Sequence, residues 1–164
     1  CTSPFPYDGI FRRAVLNFKF HNCGAYAELL SHEMVRSIKD VYRDREFDLV
    51  TCVPMHKDTL RKRGYNQAEL LAKECARLLG IEYADLLAKT KKNKTQHSIK
   101  AAERAKNVIG VYSPIDKNLI KGKRILIIDD IITTGSTLGE CARILNKCKC
   151  GEICCCTLCT SLLI

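Results

Sequence analysis

The sequence predicts an α/β fold built on a parallel sheet with helices on both faces, and three observations carry that prediction. Short apolar, β-branched runs alternate with segments whose apolar residues recur every three or four positions. The most apolar run, Arg124 to Ile128, leads into a polar, glycine-containing loop and then into another helical pattern. At 164 residues the chain has room for one domain around a single core and not for two. Strands that alternate with helices in one domain pair in parallel through right-handed crossovers.

Tyr26 to Tyr42 places apolar side chains at Tyr26, Leu29, Leu30, Met34, Val35, Ile38 and Val41, the spacing of an amphipathic helix. Asp48 to Val53 is short, apolar and β-branched, and Pro54 stops it, which reads as a buried strand running into a loop. From Asn66 the pattern turns helical: Asn66 is the N-cap, Glu69 its capping-box partner, Leu70, Leu71, Cys75, Leu78 and Leu79 the apolar face, and Gly80 the end. Lys91 to Asn107 is polar and basic with weak periodicity, a loop leading into a short helix near Ala101. Arg124 to Ile128 is a continuous apolar strand entered from the turn residues Lys121, Gly122 and Lys123, and Asp129 begins the loop after it. Ser136 to Leu145 is a helix with Leu138, Cys141, Ala142 and Leu145 on its apolar face, and a last strand runs from about Ile153 to Leu158.

Composition removes several classes. Hydrophobic residues at 46% and charged residues at 27% exclude disordered and fibrous chains. No apolar run approaches the roughly 20 residues of a membrane-spanning helix, and the N-terminus lacks the order of a signal peptide, so a cytoplasmic protein with no membrane partner is expected. The formal charge of +9 favours anionic partners. Its distribution is uneven: Lys57, Arg61, Lys62 and Arg63 form one basic run, and Lys89, Lys91, Lys92, Lys94, Lys100, Arg104 and Lys106 a second. Either run alone reads as a solvated surface, but two runs flanking a phosphate-type loop point to function. Eleven cysteines, an odd number without a signal sequence, suit a reducing compartment better than a disulfide framework. The group Cys154, Cys155, Cys156 and Cys159 sits in a strand-like run, where cysteine acts as a small apolar residue, so zinc is not expected in this chain.

Chemistry concentrates between Arg124 and Thr137. An apolar strand, the pair Asp129 and Asp130, two apolar residues and then Thr133, Thr134, Gly135, Ser136 and Thr137 place a hydroxyl-rich loop at a strand end and a helix start. That is where α/β proteins hold phosphate. Gly135 permits a tight turn, and successive amides and hydroxyls can surround a monophosphate with the helix dipole behind them. Carboxylates beside a phosphate would repel it, so the pair asks for another partner. The vicinal hydroxyls of a ribose can donate to Asp129 and Asp130 while its 5-phosphate lies in the loop, and magnesium on a neighbouring pyrophosphate would offset the charge. Neither a G-x-x-x-x-G-K-[ST] loop nor a G-x-G-x-x-G turn occurs.

The segment 125–137, ILIIDDIITTGST, resembles the signature for 5-phosphoribosyl 1-pyrophosphate (PRPP) in type I phosphoribosyltransferases. The rest of the chain resembles one branch of them, the ComF/GntX competence-associated family, through YDGIFRRAVLNFKF, DLVTCVPMH, RKRGYNQAELLAK and TQHSIKAAERAKNVIGVY. The resemblance implies a type I phosphoribosyltransferase-like fold over residues 25–164, with residues 1–24 a small N-terminal hood or the remnant of a missing zinc ribbon. It implies that Val53, Pro54, Met55 and His56 occupy the pyrophosphate-loop position, with Arg61 and Arg63 as cations for the diphosphate. It also implies that Lys91 to Asn107 is a loop closing over substrate, with Gln96, Arg104 and Asn107 at family-typical positions; for Gln96 and Asn107 local capping is an equal alternative. Asp129, Asp130 and Arg63 are the catalytic candidates, and magnesium would be held through the ligand's pyrophosphate near the acidic pair.

Two departures narrow this expectation. Members that salvage hypoxanthine or guanine carry an aspartate where this chain has Thr133, which argues against that substrate class. One cysteine, Cys1, stands where a zinc ribbon would end, and one cysteine cannot hold structural zinc. Two functions therefore stand side by side: a PRPP-dependent transferase of unidentified acceptor, and a competence-type protein whose basic segments bind single-stranded DNA. A homodimer is compatible with both.

Overall fold

A computed structural model of the chain describes residues 1–20, 25–91 and 108–162. In chain order the elements are β1 (Phe5–Pro6), α1 (Gly9–Phe20), α2 (Ala25–Val41), β2 (Leu49–Cys52), α3 (Lys57–Arg63), α4 (Gln67–Leu79), β3 (Glu82–Tyr83), β4 (Leu87–Lys89), β5 (Tyr112–Pro114), α5 (Lys117–Ile120), β6 (Arg124–Ile132), α6 (Ser136–Lys147) and β7 (Glu152–Thr160). Five strands form a parallel sheet in the order β1-β7-β6-β2-β3, while β4 and β5 pair antiparallel as a separate ribbon. Helices cover both faces, as the alternation of strands and helices predicts.

The central strand shows why its sequence is apolar without interruption. Leu126 and Ile128 enter one core with α1, α2 and α4, whereas Ile125 and Ile127 enter the other with α6 and the β4–β5 ribbon; all four are 0% exposed. Each such burial contributes about 1.5–3 kcal/mol, and a polar residue at any of the four would face apolar surroundings on either side. In β7 the thiols of Cys154 and Cys156 join the first core. Burial pushes the Cys156 thiol well above its ordinary value, so it behaves as a small apolar side chain rather than a thiolate.

At the amino end of the sheet Arg124 clamps the start of β2. Its Nε and Nη2 donate to Asp48 Oδ2 and Oδ1 at 3.1 and 2.8 Å, and its backbone N–H donates to Oδ2 at 2.8 Å. These bonds hold the Asp48 carboxyl well below the usual carboxylate range.

Two expectations need correction. Asp129 does not begin a loop: β6 continues to Ile132, with Asp129 opposite Thr157 and Ile132 opposite Thr160, because β7 extends alongside it. Asn66 does cap α4, accepting from the Ala68 N–H at 3.2 Å, but Glu69 forms no capping box, since its carboxylate takes Lys73 Nζ at 2.6 Å one turn on. The basic run after His56 forms the seven-residue helix α3, capped by the His56 side chain and ended by Gly64 at φ 87°. The short helix expected near Ala101 lies outside the described residues.

Candidate ligand site

The site exists because β2 ends before its neighbour does. Cys52 is the last residue of β2 to pair with β6, opposite Ile128; the Val53 N–H still reaches the Ile128 carbonyl at 3.0 Å, and Pro54 then offers no N–H. Beyond that point β6 is flanked, among the described residues, by β7 alone, so Asp129 and Asp130 overhang a gap at the carboxyl edge of the sheet. The gap is a cleft of about 260 Å³. Pro54, Met55 and His56 line it from the loop after β2, Arg63 from the end of α3, Asp129 and Asp130 from β6, and Thr137 from the first turn of α6.

A second hollow of about 30 Å³ adjoins it, sharing Asp129 and Thr137 and lined by Thr133, Thr134, Gly135 and Ser136. Gly135 takes φ 72°, the left-handed turn that aims the chain into α6. The Thr134 and Ser136 hydroxyls are 2.8 Å apart, and the Asp129 Oδ1 accepts from the Asp130 N–H at 2.8 Å. A small hydroxyl-lined hollow at a helix N-terminus, continuous with a larger cleft that holds two carboxylates, can take a phosphate at one end and a polyol beside it.

Arg61 stands apart: like Lys57 and Lys62 it is exposed on α3 and does not line the cleft. His56 lines the cleft, but its Nδ1 is committed to the Asp58 N–H at 3.2 Å as the cap of α3. Tyr65, beside the basic run, packs its ring against Phe18 and donates its hydroxyl to the Phe18 carbonyl, which turns it away from any role as a stacking platform. Gln96, Arg104 and Asn107 lie outside the described residues.

The cleft also contains residues to which the sequence assigns no part in the site. Lys89 on β4 lines it with its Nζ 5.4 Å from the centre of the Tyr112 ring on β5. Burial pushes the Lys89 ammonium below its ordinary value, against the pull of Cys141 and Asp129. Asn66 and Gln67 line it from the start of α4, with Asn66 Nδ2 donating to the Val53 carbonyl at 3.1 Å. In the sequence Lys89 is one lysine among many and Asn66 a helix cap; only the fold brings them to the acidic pair.

Residues 66–162 match the phosphoribosyl transferase domain. The chain belongs to that family. Competence protein F of Haemophilus influenzae is 31% identical over 85% of this chain, and Competence protein ComFC of Bacillus subtilis is 31% identical over 92%. DNA utilization protein YhgH of Escherichia coli is 30% identical over 61%. These bear out the resemblance to the ComF branch, and the chain spans only 63%, 60% and 44% of the three relatives' own lengths. Among solved structures, the glutamine PRPP amidotransferase from B. subtilis superposes with a TM-score of 0.55 at 21% identity, covering 82% of this chain and 26% of that one. The APRTase from Giardia lamblia gives 0.51 at 16% identity, covering 77% and 65%. At those identities the likeness is one of fold, and it confirms the parallel α/β class. Among the described residues no helix is long and apolar enough to cross a membrane.

Proposed function

We propose that the cleft binds PRPP, with the 5-phosphate in the 133–137 loop, the ribose on Asp129 and Asp130, and the diphosphate toward Pro54, Met55, His56 and Arg63. The observation that carries this reading is the continuity of the two hollows through Asp129 and Thr137, which sets a phosphate-sized pocket directly beside a cleft lined by an acidic pair and the cation Arg63. A simple phosphate site would have no use for the carboxylates, and a metal cage would have no use for the hydroxyl loop.

Asp129 and Asp130 supply hard oxygen donors, which fit magnesium carried by a diphosphate; the ion would neutralise charge on the leaving group. Displacement of pyrophosphate from the activated ribose then needs positioning and charge stabilisation more than a protein nucleophile. Arg63 is the cation placed for the departing diphosphate, while Arg61, on the outer side of α3, supports a different role. Thr133 in the phosphate loop speaks against hypoxanthine or guanine as acceptor. The reading of residues 1–24 as a hood is supported by β1, which pairs with Cys159 and Thr160 at the same end of the sheet as the cleft. A cytoplasmic, reducing setting suits the buried free thiols of β7.

Calorimetric titration with PRPP and magnesium tests the proposal, run on the wild-type chain and on Asp129→Asn with Asp130→Asn. Binding by the first and not the second is expected; no binding by the wild type would end it.

A second reading has its own support. Lys57, Arg61 and Lys62 are exposed together on α3, and the relatives bear names of competence and DNA utilization. Single-stranded DNA binding through this helix should weaken with salt, and Arg61→Ala with Lys62→Ala should lower the slope by about 0.7 for each phosphate contact removed. An unchanged slope would exclude α3 as the contact surface.

A further inference from the structure

At the end of the sheet away from the cleft, two turns are joined. The turn 121–123 leads into β6 and the turn 148–151 into β7, and they lie side by side because Arg124 and Glu152 start neighbouring parallel strands in register. Two backbone bonds stitch them: the Gly122 N–H donates to the Lys149 carbonyl and the Gly151 N–H to the Lys123 carbonyl, each at 2.8 Å. The packing leaves no space for a side chain at Gly151, where a Cβ would come 2.7 Å from the Gly122 carbonyl oxygen. Lys121, Lys123 and Lys149 are exposed on these turns, and Lys147 is exposed at the end of α6 just before them. Asp129 lies about 16 Å further along β6 than Arg124. The carboxylates near the turns are taken by arginines, Glu46 and Asp48 by Arg124 and Glu152 by Arg45. Lys123 and Lys147 add a weaker attraction to Asp48 and Glu140, which Arg124 and Arg143 already hold. Among the described residues none of the four lysines forms an ion pair.

Lys149 keeps its charge there against the preference of the backbone. Its φ is 61°, in the left-handed region, and at every other such position among the described residues the chain has glycine. It directly follows the C-cap of α6, the place where glycine ends a helix with least strain. The helix dipole does not call for it, since Lys147 already stands in the last turn. What lysine supplies and glycine cannot is a cation on the joined turns.

We propose that these turns are a binding surface for the phosphate backbone of single-stranded nucleic acid. The proposal rests on the second reading of function and deepens it by giving the strand a surface other than α3. Turns tied backbone to backbone hold the attachment points of the lysines fixed, which lowers the ordering cost of binding. They offer charge without an exposed large apolar side chain of the kind that anchors a protein partner. Lysine is a point charge that can follow a phosphate chain without reading its sequence. A polyanion is attracted at this end of the sheet and repelled at the other, where Asp129 and Asp130 overhang the cleft.

The test is a titration of a fluorescent oligothymidylate over a series of salt concentrations, read by anisotropy, alongside thermal unfolding. Lys121→Ala with Lys123→Ala should lower the slope of log affinity against log salt by about 0.7 for each phosphate contact removed. Lys149→Gly should lower it by about 0.7 as well, while raising the unfolding midpoint by about 2–4 °C as the left-handed strain is relieved. A lysine with no part in binding would give the rise alone. Lys149→Arg should keep the wild-type slope, and so should Arg13→Ala, which removes one exposed charge from α1. An unchanged slope in both turn variants, an equal loss in Arg13→Ala, or equal affinity for polyglutamate would overturn the proposal. Loss confined to Arg61→Ala with Lys62→Ala would overturn this surface and keep the nucleic-acid reading on α3. A wild type that does not bind the oligonucleotide would end that reading itself, whatever its affinity for PRPP.

Discussion

Replacing Gly135 and Gly139 by alanine is the same chemical change four residues apart, and the structure assigns the two substitutions opposite signs. At Gly135 the backbone has φ 72°, and a Cβ built there would meet Ile132 Cδ1 at 3.8 Å, an ordinary van der Waals distance. There is room for the methyl, so the penalty is conformational: about 1–2 kcal/mol for holding an L-residue in the left-handed region. Gly139 lies exposed inside α6, and a Cβ there meets nothing within 4 Å. Alanine is better than glycine in a helix interior by about 0.8–1 kcal/mol. For a chain of this size 1 kcal/mol moves the midpoint by about 2–4 °C, so Gly135→Ala should unfold about 2–8 °C earlier and Gly139→Ala about 2–4 °C later. Calorimetric unfolding at neutral pH measures both. If the two variants shift in the same direction, or Gly135→Ala is neutral, the loop does not require the left-handed turn on which the phosphate pocket is built.

Other outcomes rest on single residues. Glu140 is 5% exposed and binds the Gly110 N–H at 2.8 Å and the Arg143 guanidinium at 2.7 Å, chiefly the latter drawing its carboxyl down to about 2. A depressed carboxyl stabilises the fold above its unfolded value near 4.5 and loses that contribution as pH falls toward 2. Glu140→Gln should therefore cost about 1–3 kcal/mol in urea unfolding at pH 7, with the difference from wild type shrinking by pH 3; a pH-independent difference would contradict the ion pair. Cys156→Ser puts a hydroxyl among apolar neighbours at a 0% exposed position and should lose about 1–3 kcal/mol, more than Cys156→Ala does. Ellman's reagent should label Cys1 in the native chain and reach Cys52, Cys75, Cys141, Cys156 and Cys159 only on unfolding; rapid native labelling of that group would contradict the packing.

What the sequence made legible was local or contiguous. Helix α4 is readable because its signals are its own: Asn66 caps it, and Gly80 ends it in the left-handed conformation at φ 70°. The core of β6 is readable because burial on both faces demands an uninterrupted apolar run. Its length is not, since two carboxylates argue against a strand and only pairing with Thr157 to Thr160 of β7 overrides them. Helix α3 is too short for periodicity to show, and its cap is a histidine, outside the usual set of capping residues. The same division runs through the site. The acidic pair and the hydroxyl loop lie in one stretch of chain, so their order carries meaning. Lys89, Tyr112 and Gln67 reach the cleft from three other segments, and neither the basic run nor the family-like stretches they lie in say that they meet the acidic pair. Arg61 and Arg63, two residues apart, are alike in sequence, yet only Arg63 lines the cleft.

A crystal structure of the chain with PRPP and magnesium would show directly whether one cleft holds a ribose between two anionic arms. The 5-phosphate is expected among the amides and hydroxyls of residues 133–137, the ribose hydroxyls on Asp129 and Asp130, and the diphosphate against Arg63 and the Pro54–His56 loop. A ligand bound in the reverse direction, or one that leaves the acidic pair untouched, would contradict it.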